Sequence, residues 1–499
     1  MKKISTLSAM LLAGLTFAQT ADKTNEIDTA VKYANTITIE DLKEDLTILA
    51  SDALEGRETG KRGQKMAAAF IKTHFEELGL QGPAEAGNGY YQNVPLKTSK
   101  PGDIYIKFGD TKINNLEDFL YYGPAYSTDG VSTSIVFGGA GTAEELTNLD
   151  IKDKVLLINT TDRNIRESAM EYVDKNGGKM LFVIYANNND EYLKFYNTYK
   201  GYFNRETIGL DKGASNEQPG IVFLSPETGA AMFGTSFDKL QKAITANKEG
   251  KKNAYKKLKE SAISYKIDYE SKKIISENVL GYLEGTDLKD ELLILTSHYD
   301  HEGIKNGEIY NGADDDGSGT VAVMDIAEAF AKAKGDGNGP RRSILFMTVT
   351  AEEKGLLGSE YYADNPIFPL ENTVADLNID MIGRVDDRDE IVGKDYVSLV
   401  GSDKLSSELH EISERANKKY TDLYLDYTYN DEGHPERIYY RSDHWNFAKN
   451  GIPVIFYTTG SHPDYHKPTD TVDKIEFELM TKRTKLVFYT AWEIANRDG

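Results

Sequence analysis

Downstream of residue 278 the chain is punctuated by apolar runs: LLILTS at 292–297, SILFMTV at 343–349, VADLNI at 374–379, YVSLV at 396–400 and IPVIFYTT at 452–459. Each has the length of a strand, and they are too continuously apolar for strands with one wet face. Helically spaced stretches, such as Thr320 to Ala333 and Lys404 to Ala416, stand between them. Strand and helix in alternation predict an α/β domain on a mostly parallel, doubly covered sheet. In such sheets the functional crevice lies beyond the carboxyl ends of the strands. The residues just past each apolar run are therefore the candidates for chemistry.

The earlier chain reads differently. ITIEDLKEDLTILA, 37–50, takes on helical spacing at about Ile39, with Thr38 as its cap and Asp41 three residues on. A second helical pattern runs to Leu78. Between them stands EGRETGKRG, 55–63, whose glycines and Lys61 invite comparison with a phosphate-binding loop. The spacing is one residue short, Arg62 stands where Ser or Thr would hold magnesium, and no strand precedes it. A flexible covering loop is the expectation there. From about Pro101 to Lys273, short β-like runs (SIVFGG, KVLLIN, MLFVIYA, IVFLS) alternate with Gly and Asn turns, and two helical stretches intervene. They predict a smaller β-rich domain at 101–273, free of histidine, inserted into a larger one formed by 19–100 and 274–499. Near its end Lys248, Lys251, Lys252, Lys256, Lys257 and Lys259 are expected on the solvent face of a helix.

Composition narrows the chemistry. The start, MKKISTLSAMLLAGLTFAQ, has a short basic head, an apolar segment broken by Ser5, Thr6 and Ser8, and small residues at Thr16 and Ala18. It reads as a secretory signal over 1–18, cut after Ala18, and predicts a periplasmic or extracellular protein without a membrane span. There is no cysteine, so any metal must be held by imidazole and carboxylate. A net charge of −22 argues against nucleic acid as a partner.

At the strand ends the side chains change character. The run at 292–297 is followed by His298 and Asp300, with Asp315 in the next loop; 343–349 leads to Glu352 and Glu353; 374–379 leads to Asp380. The last run, 452–457, is followed by His462, Tyr465 and His466. Imidazoles and carboxylates without sulfur suit zinc or a similar divalent ion. There are enough of them for two ions sharing one carboxylate, a site type that polarises a carbonyl and activates water. Of the adjacent pair Glu352 and Glu353, one can bind metal while the other faces substrate as a base.

The motifs HYD at 298–300, GADDDGSG at 312–319, TAEEKGLLGS at 350–359, NIDMIG at 378–383 and SDHWNFAKNGIPVIFYTTGSHPDYHKPTDT at 442–471 resemble those of the double-zinc exopeptidases. That family is typified by bacterial leucyl aminopeptidases and, more distantly, glutamate carboxypeptidase II. The resemblance covers 278 to the end and, weakly, the region near Arg57; the middle region resembles the protease-associated domain often inserted in this family. It implies two zinc ions, with His298 and Asp380 on one, Glu353 and His466 on the other, and Asp315 bridging them. It further implies Glu352 as general base and later proton donor to the leaving amine. Asp300 would hold His298 in place, Tyr465 would stabilise the oxyanion, and the peptide bond between Asp315 and Asp316 would be cis.

Asp314 and Asp316 are expected as turn and helix-start residues, His301 and His462 as hydrogen-bonded loop residues, and Arg441 as the ion-pair partner of one of the many acids in preference to a substrate carboxylate. His444 divides evenly between lining a substrate pocket and packing beneath it. The expected function is a secreted zinc-dependent aminopeptidase acting on peptides, because a free amine is drawn to carboxylates while a C-terminal carboxylate needs a dedicated cation that no motif displays. The rivals are a carboxypeptidase or dipeptidase of the glutamate carboxypeptidase type and a catalytically inactive binding protein on the same fold.

Overall fold

The computed structural model describes residues 29–498 apart from 85–88, 125–126, 213–218, 252–253, 256–257, 259, 387 and 389–390. The expected signal over 1–18 lies outside the described residues, as do Lys252, Lys256, Lys257 and Lys259. The chain divides into two compact units, one comprising the chain up to Leu96 together with Ile274 onward, the other Lys97–Lys273.

The first unit opens with α1 (Ile39–Leu49), capped where the sequence places the cap: Thr38 Oγ1 accepts the Asp41 N–H at 3.2 Å. Leu42, Leu46 and Leu49 on one face of α1 are buried. After α2 (Arg62–Glu77) the unit is built from β1 (Leu288–His298), α3 (Gly319–Gly335), β2 (Arg342–Val349), α4 (Leu357–Asp364), β3 (Thr373–Ile379), β4 (Tyr396–Val400), α5 (Ser407–Ala416), β5 (Tyr424–Asp426), α6 (His444–Ala448), β6 (Val454–Thr458) and α7 (Phe477–Asn496). The strand order is β5-β4-β6-β3-β1-β2. β1 runs parallel to both β2 and β3, and β3 parallel to β6; β4 runs antiparallel to β6, and residues 279–283 add an antiparallel edge to β2. Successive residues of one strand enter different cores. Leu293 and Leu295 of β1 pack with Phe330 of α3 and Leu486 of α7, while Leu292 and Ile294 pack with Tyr362 of α4 and Phe447 of α6. Covering both faces is what permits such unbroken apolar runs.

The second unit has its own core, including Ile135, Leu157, Phe182 and Val222. Ser127–Phe137, Val155–Asn159, Met180–Ile184 and Gly220–Leu224 pair in parallel, flanked by antiparallel neighbours at 260–267 and Leu120–Tyr122. The insert is more helical than its sequence suggests. Two helical stretches are expected there, yet besides Arg163–Lys175 and Phe237–Lys248 it contains Asn189–Phe203, rich in tyrosine and phenylalanine, residues that favour strands. That helix is fixed by its start, where Asn188 accepts the Glu191 N–H at 2.9 Å. The helix Phe237–Lys248 stops at Lys248, so Lys251 does not continue its solvent face; it pairs with Glu249 at 2.8 Å. Among the described residues no helix is long and apolar enough to cross a membrane.

Candidate metal centre

The loops beyond β1, β2, β3 and β6 bring their acids and imidazoles together. Asp315 lies at the centre: its Oδ1 is 3.3 Å from His298 Nε2 and its Oδ2 is 3.0 Å from His466 Nε2. On the His298 side stand Asp380, with Oδ1 at 3.6 Å, and Glu352, with Oε2 at 3.7 Å. On the His466 side Glu353 Oε2 lies at 3.1 Å from Nε2. Among the described residues three groups of potential ligand atoms result, His298–Glu352–Asp380, His301–Asp315–Glu353 and Glu302–Glu353–His466, each within 4.8 Å internally.

Local backbone geometry aims these side chains. Ala351, Met381 and His466 adopt φ of 57°, 63° and 54°, left-handed values that non-glycine residues seldom take and that cluster at functional sites. The Asp315–Asp316 peptide bond is cis. Asp314 and Asp316 are more than turn residues. Asp316 accepts N–H groups of His298 at 3.2 Å, Gly319 at 2.8 Å and Met381 at 3.1 Å, tying β1, α3 and the turn after β3 to one carboxylate. Asp314 accepts from Gly383 N–H at 2.6 Å and Ser318 Oγ at 3.0 Å, and His462 faces its other oxygen at 3.3 Å. Asp470 accepts the N–H groups of Asp314 and Asp315, clamping the backbone that carries the central carboxylate.

Several expectations need amendment. The stretch 55–63 is not a flexible cover. Arg57 is wholly buried and donates from Nε to Tyr299 O at 2.7 Å, from Nη1 to Leu49 O at 2.9 Å and Asn311 O at 2.6 Å, and from Nη2 to Gly312 O at 2.8 Å. Two residues on, Thr59 Oγ1 donates to Asp300 Oδ2 at 2.7 Å. Asp300 meets the His298 Nδ1 through its main-chain carbonyl at 3.1 Å, while its carboxylate, 3.9 Å from that nitrogen, instead accepts the Glu352 N–H at 3.1 Å. His301 is drawn into the cluster rather than bonded in a loop. It is fully buried, its Nδ1 is 2.8 Å from Glu353 Oε1, and Gly312 leaves room for it, since a Cβ there would fall 2.5 Å from the ring. His444 packs beneath the site, stacked on Phe456 at 4.7 Å with Nε2 donating to Tyr439 O at 2.8 Å. Tyr465 stacks on His466 at 3.9 Å. Arg441 forms no ion pair among the described residues; its Nη2 approaches Tyr465 Oη at 3.5 Å.

The electrostatics set the acids and imidazoles of the cluster against one another. Burial opposes charge throughout, yet the imidazoles of His301 and His466 bring Glu353 down to about 2, and Asp315 and Glu353 raise His466 to about 9. Glu352 departs the other way: burial pushes it well above the ordinary carboxylate range, with Glu353, Asp380 and Asp443 adding to the effect against His298. Asp315 Oδ2, Glu353 Oε1 and both ring nitrogens of His301 are buried without a well-formed hydrogen bond, and buried polar atoms of this kind call for a partner. A sulfur-free set of nitrogen and oxygen donors fits a divalent transition metal.

Comparisons with known proteins agree. Residues 278–491 match peptidase family M28. Aminopeptidase YwaD of Bacillus subtilis (strain 168) is 24% identical over 458 residues, covering 90% of this chain and 83% of that protein. A probable leucine aminopeptidase of Arthroderma otae is 29% identical over 213 residues, and the match spans 41% of this chain and 55% of the relative. The solved aminopeptidase from Aneurinibacillus sp. strain AM-1 shares the fold, with a TM-score of 0.52 at 18% identity over 94% of this chain and 97% of that one. The segment from residue 278 to residue 491 thus carries the match to peptidase family M28, and together with the aminopeptidase relatives it supports a hydrolytic metallo-exopeptidase.

Proposed function

We propose that the protein is an exported, zinc-dependent aminopeptidase that removes residues from the amino terminus of peptides. The observation that carries this reading is the position of Asp315 between His298 and His466, one oxygen toward each imidazole. His298 and Asp380 would hold one zinc ion, Glu353 and His466 a second, with Asp315 shared. When bound, the metal pair supplies Lewis acidity toward the substrate carbonyl and makes water easier to deprotonate.

The remaining work falls to the chain. Glu352, its proton affinity raised by burial, accepts a proton from the water that attacks the carbonyl carbon. It passes that proton to the amine nitrogen as the C–N bond breaks, giving a free amino acid and a shortened peptide. Thr59 and the Glu352 N–H, both bound to the Asp300 carboxylate, keep the base beside His298. Tyr465, against the ring of His466, is placed to donate to the oxyanion. The surplus of carboxylates favours a substrate's free amine, which supports the amino-terminal preference. Export rests on the pattern of residues 1–18, and the unit at 97–273 is read as a protease-associated insert on KVLLIN and its neighbouring apolar runs.

Leucyl reporter substrates with free and acetylated amines, assayed before and after exhaustive chelation and after zinc return, test the reading. Hydrolysis of the free form alone, lost with the metal and restored by about two zinc ions per chain, is expected. Equal hydrolysis of the acetylated form, or full activity after chelation, overturns it.

A further inference from the structure

A cavity of about 590 Å³ opens over Glu352 and Glu353. One wall is aromatic, Tyr440 and Trp445 meeting edge to face at 4.7 Å. Its lining also carries two cations, Arg441 and Lys449, and neither has a carboxylate within ion-pair distance among the described residues. That is unexpected in a chain with 80 acids against 58 bases, where Arg384 and Arg388 nearby in sequence each find an aspartate. Arg441 stands between two contacts of the site. The next residue, Ser442, donates to Asp380 Oδ2 at 2.6 Å, and the guanidinium meets Tyr465 Oη, whose ring lies on His466. An exposed cation is thereby held one side chain from the metal ligands with its outer donors unused.

We infer that Arg441, assisted by Lys449, receives the terminal carboxylate of a short peptide substrate, so that the enzyme favours di- and tripeptides over longer chains. This rests on the aminopeptidase reading. A residue advances an extended chain by at most about 3.6 Å. The carboxylate of a dipeptide therefore lies one residue beyond the scissile carbonyl, and that of a tripeptide two. A planar guanidinium takes a carboxylate through two parallel hydrogen bonds, whereas Lys449 contributes a point charge. The acidic side chains would bind the amine end and Arg441 the carboxyl end, making peptide length a property that the cavity senses.

The test compares the zinc-loaded full chain on Leu-Leu, Leu-Leu-amide, Leu-Glu-amide and leucine p-nitroanilide, with Arg441→Gln and Arg441→Lys alongside. The wild type is expected to show a KM for Leu-Leu about tenfold or more below that for Leu-Leu-amide, with kcat little changed, since a hydrogen bond to a charged group is worth that much. Arg441→Gln should abolish the ratio and Arg441→Lys retain part of it, with zinc content and far-UV circular dichroism of both variants checked against wild type. Equal KM values for acid and amide in the wild type overturn the inference. So does a low KM confined to Leu-Glu-amide, which would assign Arg441 to an acidic side chain, or a ratio that survives Arg441→Gln. Cleavage of leucine p-nitroanilide leaves the aminopeptidase reading standing in each of these cases; its absence from zinc-loaded enzyme removes that reading instead.

Discussion

The two units share an architecture of parallel strands flanked by helices and treat charge in opposite ways. Residues 97–273 hold 25 of the 58 basic and 24 of the 80 acidic residues, so the insert is almost neutral and the other unit carries the whole deficit. Burial sharpens the contrast. Among the described residues the buried polar side chains of the insert are Thr98 and Asn115, neither ionisable, whereas the other unit buries Arg57, His298, His301, Asp300, Asp314, Asp315, Asp316, Asp380 and others. Placing ionisable groups out of water is unfavourable unless they are paired or neutralised. Among the described residues the insert keeps acids and bases out of its interior; the other unit gathers many of its exceptions at one end of a sheet, with Asp325, Arg342 and Arg483 buried elsewhere. Where a fold departs from ordinary burial is thus a guide to its chemistry that needs no motif.

The largest effect that can break this contrast is on turnover. Glu352→Gln should lower kcat at least about a hundredfold, in the range of a lost general base, while zinc content by mass spectrometry stays unchanged. A loss below tenfold would remove Glu352 from the role. Next in size, Arg57→Met should destabilise the unit that holds the metal centre by about 3 kcal/mol or more, because four carbonyls lose a charged donor inside the protein. Urea unfolding followed by tryptophan fluorescence reads that unit alone, since Trp445 and Trp492 both lie in it.

A subtler probe uses acid. Burial lowers His444 to about 3 from its ordinary 6.5, so between those values the unfolded chain binds a proton that the folded one refuses. The contribution of His444 to stability is therefore complete above pH 6.5 and declines as the pH falls toward 3. His444→Gln should flatten the acid side of the stability profile measured by chemical unfolding at successive pH values. Smallest of all, Thr142→Ala in the insert removes a capping box with Glu145 and should cost about 1 kcal/mol of the insert's stability, leaving leucyl-reporter turnover within error.

Legibility in the sequence followed the same division. The five apolar runs became β1, β2, β3, β4 and β6 because strands covered on both faces leave an unbroken hydrophobic signature. His298, Glu352, Glu353, Asp380 and His466 stood out because each lies within several residues of the end of one of those runs. Arg57, Thr59, Asp470 and His301 did not. The first three act mainly on main-chain groups or on a distant carboxylate, contacts that impose no periodicity, and His301 is distinguished from a loop histidine only by the company that the loop after β1 and Glu353 give it. The left-handed turns at Ala351 and Met381 are equally silent, since neither residue is one that such a turn ordinarily selects. In the insert, two helical stretches were expected without bounds, and the helix Asn189–Phe203 is marked most clearly by its cap at Asn188.

The bond pattern of Arg57 bears on how portable the hydrolytic unit is. Someone trimming the polypeptide to the stretch that bears the family signature would retain every proposed zinc ligand and still discard the guanidinium that organises the turns around Tyr299 and Gly312. Such a fragment should be insoluble or metal-poor for want of an anchor, and any transplant of this centre has to bring the leading helices along with it.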